Sequence, residues 1–123
     1  MTLSGELEPA IGKAGEKSVI KSLKGKGFLI IEHNTKGEGA TDIHAKRVNG
    51  KKNYFIQVKA TLSKGELMLS KSEKERLLKR ANVENGIPIL AKVYLKEGGA
   101  RTGYLSSKPI VYMDLRTDKV CDF

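Results

Sequence analysis

The sequence predicts a single α/β domain whose elements run α-β-β-β-α-β, followed by one or two short C-terminal strands. Three observations carry that expectation. Apolar residues recur at helical spacing between Pro9 and Leu23. Two extended segments flank Asn49-Gly50, the dipeptide most strongly tied to tight hairpins. Ser70 and Glu73 have the spacing of a helix capping box, ahead of the apolar positions Leu77, Leu78 and Ala81.

Taken in order, the first helix is expected from Pro9 to about Leu23, with proline suiting its first turn and Gly25 and Gly27 supplying the stop. Gly12, Val19, Ile20 and Leu23 form one stripe, and Lys13, Lys17, Lys21 and Lys24 form a separate, solvated one. Phe28 to Glu32 is a continuous apolar run, which suits a strand buried on both faces. The loop from Asn34 to Thr41 carries two glycines and leads into Asp42, as a substrate-contacting segment would.

In the hairpin, Ile43 and Ala45 alternate against Asp42, His44 and Lys46. Tyr54, Ile56 and Val58 share one face of the next strand, and Phe55, Gln57 and Lys59 share the other. The exposed side of the second helix is rich in charge, with Glu75 and Lys79 placed as an i,i+4 pair. Asn85-Gly86 breaks the chain before a strand from Ile87 to Leu95, with Pro88 near its start. Gly98-Gly99 marks a turn, and Ile110 to Leu115 is a last apolar segment, which either closes a sheet edge or forms a subunit contact. The core spans about 9–95 of the single domain 1–123, and 96–123 extends it.

With 123 residues, 39% of them hydrophobic, and a mean hydropathy of −0.36, the chain suits one globular domain. No apolar run approaches the ~20 residues of a membrane span, and Met1 to Pro9 lacks the basic start and apolar segment of a secretion signal. The expected compartment is the cytoplasm, with no membrane partner. Cys121 is alone, so no intramolecular disulfide forms, and no Cys/His cluster has zinc spacing. Lys and Arg total 23 against 14 acids, a net charge of +9, which favours a polyanionic partner such as nucleic acid.

Folding the hairpin back brings Asp42 toward Gln57 and Lys59. A carboxylate and an amide carbonyl are hard oxygen donors of the kind Mg²⁺ takes, and a lysine beside such an ion orients a water or neutralises a phosphoryl group. Glu16 projects from the apolar stripe of the first helix, where a carboxylate is costly unless paired or bound to metal. It is read as a second ligand, the simpler alternative being an ion pair at the rim with Lys13 or Lys17. His33 and His44 are read as polar rim residues, and the four tyrosines as packing residues at strand positions.

The order of a Gly-x-x-x run at 12–15 before Glu16, Gly27-Phe28 opening a strand, the Gly39-x-x-Asp42-Ile43-x-Ala45 box, Gln57-Val58-Lys59 and then Pro88-Ile-Leu-Ala-Lys-Val-Tyr94 resembles the PD-(D/E)XK nuclease superfamily. Within it the chain is most similar to archaeal Holliday-junction resolvases, over roughly residues 11 to 95. The resemblance implies a restriction-endonuclease-like fold, with a central mixed sheet flanked by helices. It implies that Glu16, Asp42, Gln57 and the backbone carbonyl of Val58 bind Mg²⁺, with Mn²⁺ as a possible substitute. It implies further that Lys59 assists the attacking water or the scissile phosphate, that Thr35 supplies a hydroxyl, and that a homodimer cuts branched or structured DNA. Gln57 departs from the resolvase pattern, where an acid is usual, and is shared with members resembling Mrr-type restriction enzymes. A restriction or homing-type endonuclease acting on duplex DNA and a catalytically silent nucleic-acid-binding module are the alternatives.

Overall fold

A computed structural model describes residues 4–34, 42–62, 65–97 and 103–123, with side chains from position 10 onward. The elements are α1 (Ser4–Gly25), β1 (Phe28–His33), β2 (Ile43–Arg47), β3 (Asn53–Thr61), α2 (Lys71–Val83), β4 (Gly86–Glu97), β5 (Tyr104–Ser106), β6 (Val111–Asp114) and β7 (Lys119–Val120). Six strands lie in the order β1-β2-β3-β4-β6-β7, and β5 pairs with β4. Among the described residues only β3 and β4 run parallel, from Asn53 opposite Gly86 to Thr61 opposite Tyr94, with α2 as the crossover between them.

The first helix begins earlier than Pro9 and buries the stripe the sequence marks. Val19 and Leu23 are fully buried, Ile11, Ala14 and Ile20 pack beside them, and the four lysines of the other stripe are exposed. Gly15 sets how closely α1 approaches the sheet. A Cβ there would stand 2.6 Å from the Ala60 Cβ, so only glycine lets the helix seat on β3 at that depth.

Alternation along the strands divides the interior into two layers. Ile43, Ala45, Ile56, Val58, Ile89 and Ala91 face the α1 side. Phe55 and Leu90 face α2, where they meet Leu77, Ala81 and Leu115. Burying the whole Phe55 side chain stabilises the second layer by roughly 2–3 kcal/mol. Two neighbours extend that contact: His44 stacks on the Phe55 ring at 4.4 Å between centroids, and the Arg80 guanidinium lies 4.9 Å from its centre.

The expectation that β1 is buried on both faces is corrected. Phe28 and Ile30 join the core, but Leu29 is 55% and Ile31 47% exposed. The reason is position. β1 is the last strand of its side of the sheet, and α2 packs on β3 and β4, reaching β1 through the Arg80–Glu32 ion pair at 3.7 Å rather than covering it. A continuous apolar run does not by itself reveal whether a second layer covers it.

The hairpin forms antiparallel from Ile43 opposite Ile56 to Lys46 opposite Asn53. Its turn is longer than two residues: the Gly50 N–H donates to the Arg47 carbonyl, and Asn49 takes the left-handed conformation (φ 69°) that its short polar side chain tolerates. At α2 the capping box is complete, with Ser70 Oγ accepting from the Glu73 N–H and the Glu73 carboxylate accepting from the Ser70 N–H. The i,i+4 ion pair found on this helix joins Arg80 and Glu84 at 2.8 Å.

The tail closes the sheet. β6 pairs antiparallel with β4, and β7 adds outside it. Pro88, which has no N–H to donate, uses its carbonyl to accept from Leu115. Phe123 packs against Phe28, Tyr54 and Tyr112, so the end of the chain belongs to the same core as the hairpin.

Candidate metal and phosphate site

The polar residues singled out from the sequence gather where β2 begins and β3 nears its end. Asp42 is fixed there by three hydrogen bonds. Its N–H donates to the Ile56 carbonyl (2.9 Å), its carbonyl accepts from Asn34 (2.8 Å), and its Oδ2 accepts from the Val58 N–H (2.8 Å). The side chain thus continues the β2–β3 pairing where the backbone ladder stops. At Val58 the group seen to engage Asp42 is this N–H, and the valine side chain lies in the core.

Glu16 comes from α1, one residue beyond the glycine that lets the helix sit close. Its Oε1 lies 2.7 Å from His33 Nε2 at the end of β1. The partner is therefore His33 rather than Lys13 or Lys17. Nothing in the local sequence pairs these residues, which stand 17 apart and meet only because β1 lies alongside α1. His44, by contrast, bonds Asn53 Oδ1 at 2.9 Å and stacks on Phe55, the rim role expected of it.

The electrostatics of Asp42 follow from this crowding. Burial, the largest cause, pushes its carboxyl up to about 6, and the nearby Glu16 carboxylate adds to the rise. The Val58 N–H opposes burial, as do the positive charge of Lys59 and, more weakly, His33. Two acids close together in partly dry surroundings repel, and a cation between them relieves the repulsion.

Lys59 projects from the α2 side of β3. Its Nζ donates to Glu73 Oε2 at 2.7 Å, while Glu73 Oε1 accepts from the Ser70 N–H. Burial alone would raise the Glu73 carboxyl, but the Lys59 hydrogen bond and the Ser70 contacts override it and hold Glu73 below the usual glutamate value. The sequence assigns Glu73 only to the capping box. The signal for more was present, since a capping glutamate uses one oxygen on the helix and has a second to spare, at the end of the helix that overlies the C-terminal ends of the parallel strands.

Gln57 lies on β3 on the same face as Phe55 and Lys59, half-buried and opposite Leu90. Thr35, the loop from 35 to 41 and the first three positions of the Gly39-x-x-Asp42 box fall outside the described residues. Among the described residues, no three His, Cys, Asp or Glu side chains are grouped to hold a metal by themselves. A complete ligand set from this chain would need neutral oxygens, for which the Gln57 amide and the Val58 carbonyl, on the strand that Asp42 bonds to, are the candidates. Two carboxylates with neutral oxygens fit Mg²⁺, a hard ion that retains several waters. The raised Asp42 fits as well, because a cation would offset the burial and the Glu16 charge that oppose its ionisation.

A mixed sheet with one helix on each face, a parallel pair at its centre and polar groups at the ends of those strands is the restriction-endonuclease-like architecture. A solved structure shows it in a second chain: that of Archaeoglobus fulgidus Hjc, a Holliday junction resolvase from an archaeal hyperthermophile. It matches with a TM-score of 0.62 and 21% identity, over 85% of this chain and 78% of that one. No protein-family model matches the chain.

Proposed function

We propose that this chain is a metal-dependent endonuclease that hydrolyses phosphodiester bonds in branched DNA, in the manner of a Holliday-junction resolvase. The observation that carries the reading is the convergence of Glu16, Asp42 and Lys59, from three places in the sequence, at one end of β3 in a fold shared with such an enzyme. The net charge of +9 suits a DNA partner. No helix among the described residues is long and apolar enough to cross a membrane.

In this reading Glu16, Asp42, Gln57 and the Val58 carbonyl hold Mg²⁺ or Mn²⁺. The bound ion supplies Lewis-acid polarisation of the phosphate and acidifies a coordinated water. The protein's own groups do the rest. The Val58 N–H keeps one Asp42 oxygen fixed, so the carboxylate presents its other oxygen without reorganising. His33 fixes the Glu16 carboxylate in the same way. Lys59 is already oriented by Glu73, and its ammonium stabilises the charge that builds on the phosphoryl oxygens as the bond breaks. Gln57 contributes an amide oxygen where an acid would contribute charge, so metal affinity is expected to be lower than in a three-carboxylate site.

A four-way junction is cut by paired incisions, and a homodimer supplies the two sites. The direct test presents a four-way junction, plain duplex and single strand side by side, with Mg²⁺, with Mn²⁺ and with EDTA. Preferential, metal-dependent cutting of the junction is expected. Asp42→Ala and Lys59→Ala are each expected to lower it by about 10³-fold. Equal cutting of all three substrates would replace the resolvase reading with a general endonuclease, and no cutting with either ion would leave a DNA-binding module.

A further inference from the structure

We propose that Lys92 is a second phosphate-binding lysine of this site, which grips a DNA phosphate next to the scissile one and is occupied by Glu66 in the free protein. The inference rests on the nuclease reading above and extends it by a residue to which the resemblance assigns no role.

Lys92 and Lys59 face each other across the parallel ladder of β3 and β4. Paired positions on adjacent strands lie about 4.8 Å apart and project to the same side, here the side of Leu90 and Phe55, which α2 covers. Beyond the first turn of α2 that cover ends, and two lysines stand abreast at the carboxyl ends of the parallel strands. Crevices at such strand ends are where open α/β sheets bind ligands.

Burial makes Lys92 unusual. It is 9% exposed, and it is the buried charged side chain among the described residues. Desolvating an ammonium is costly, and placing it beside a second lysine adds repulsion. Its partner repays little: Glu66 Oε1 accepts from Lys92 Nζ at 3.2 Å, and the Glu66 side chain is 72% exposed. An ion pair with so solvated a carboxylate is weak and readily exchanged. Lys59 differs, because Glu73 is built into the capping box of α2 and holds its lysine at 2.7 Å.

A structural lysine would be expected to have a buried, well-tied counterion. One that is desolvated, adjacent to another cation and, among the described residues, held by an exposed carboxylate is suited to trade that carboxylate for an incoming anion. A phosphodiester oxygen has the same charge and acceptor geometry as the Glu66 oxygen it displaces. Lys59 and Lys92 then span neighbouring phosphates of one strand, with the acid pair Glu16 and Asp42 on the far side of Lys59.

The test is salt-dependent binding of a fluorescent four-way junction to the full chain, without metal and with Ca²⁺, for wild type, Lys92→Met, Lys92→Arg and Glu66→Gln. Lys92→Met keeps the apolar stem and is expected to bind about 5- to 10-fold more weakly near 0.1 M salt. Its slope of log affinity against log salt is expected to be shallower by about 0.9, the loss of one phosphate contact on duplex arms. Lys92→Arg keeps the wild-type slope, which separates charge from folding. Glu66→Gln binds about 2- to 3-fold tighter, because the lysine is released. A Lys92→Met protein with wild-type affinity and slope, beside a wild type that binds and cuts the junction, overturns this inference alone. Weaker binding by Glu66→Gln also overturns it, since the pair would then support the site rather than compete for it. A wild type that neither binds nor cuts overturns the nuclease reading together with it.

Discussion

Asp42 and Glu73 are two carboxylates placed on either side of the same end of β3, and their surroundings move them in opposite directions. Asp42, beside Glu16 and partly dry, is raised to about 6. Glu73, bonded to Lys59 and to Ser70, is lowered. Carboxylates therefore gather where Asp42 meets Glu16, with burial and the neighbouring acid opposing ionisation of Asp42, and lysines with their own counterions gather beside α2. A dication suits the first and a phosphate suits the second. Their adjacency is what hydrolysis of a phosphodiester requires.

Neutralising Asp42 should disturb this contrast most. Asn keeps an oxygen for the Val58 N–H and removes the charge. The native carboxyl titrates near 6 and the unfolded one near 3.8. Ionisation thus opposes folding fully above about pH 6, and the penalty vanishes below about pH 4. Asp42→Asn should abolish cleavage yet raise metal-free stability at pH 8 by up to about 3 kcal/mol, at 1.36 kcal/mol per pH unit. That gain should shrink toward zero at pH 4, and chemical denaturation at the two pH values checks it.

Gly15→Ala moves the acid pair without altering its charge. The new methyl group meets the Ala60 Cβ, which has no flexible end to yield, so α1 must shift and carry Glu16 with it. Overpacking costs about 1–3 kcal/mol, and the better helix propensity of alanine returns up to about 1. A net loss of about 1 kcal/mol is expected, with cleavage lower by about 10- to 100-fold through misplacement of Glu16. Stability and rate measured on the same preparation would show whether the rate effect outruns the folding effect.

Glu73→Gln should have the smallest effect, because glutamine also serves in a capping box. Lys59 would lose its anchor, and cleavage should fall about 10-fold in kcat with little change in KM. The lowered Glu73 contributes stability above its unfolded value of 4.5, lost as pH falls through the native value. The variant should therefore be less stable than wild type by about 1 kcal/mol at pH 7, and the two should converge in acid.

Much of this arrangement was legible in the sequence because it depends on local periodicity. The α1 stripe, the hairpin register that carries Asp42 to Val58, and the Ser70–Glu73 cap all follow from spacing along one or two elements. What sequence concealed depends on the order of strands. The exposure of Leu29 and Ile31 reflects β1 being an edge, and the pairing of Glu16 with His33 reflects α1 lying over that edge. The second roles of Glu73 and Lys92 emerge only once β3 and β4 are parallel, with α2 crossing between them. Lys92 in particular sits in an apolar run, Pro-Ile-Leu-Ala-Lys-Val-Tyr, where a lysine reads as an interruption.

The most direct measurement is calorimetric titration of Mg²⁺ and Mn²⁺ into wild type, Glu16→Gln and Asp42→Asn at pH 8, with folding of each variant checked by circular dichroism. Saturable binding to wild type that is lost in Asp42→Asn and strongly weakened in Glu16→Gln is the expected result. Binding of equal strength in all three folded proteins would contradict a cation site built on this acid pair.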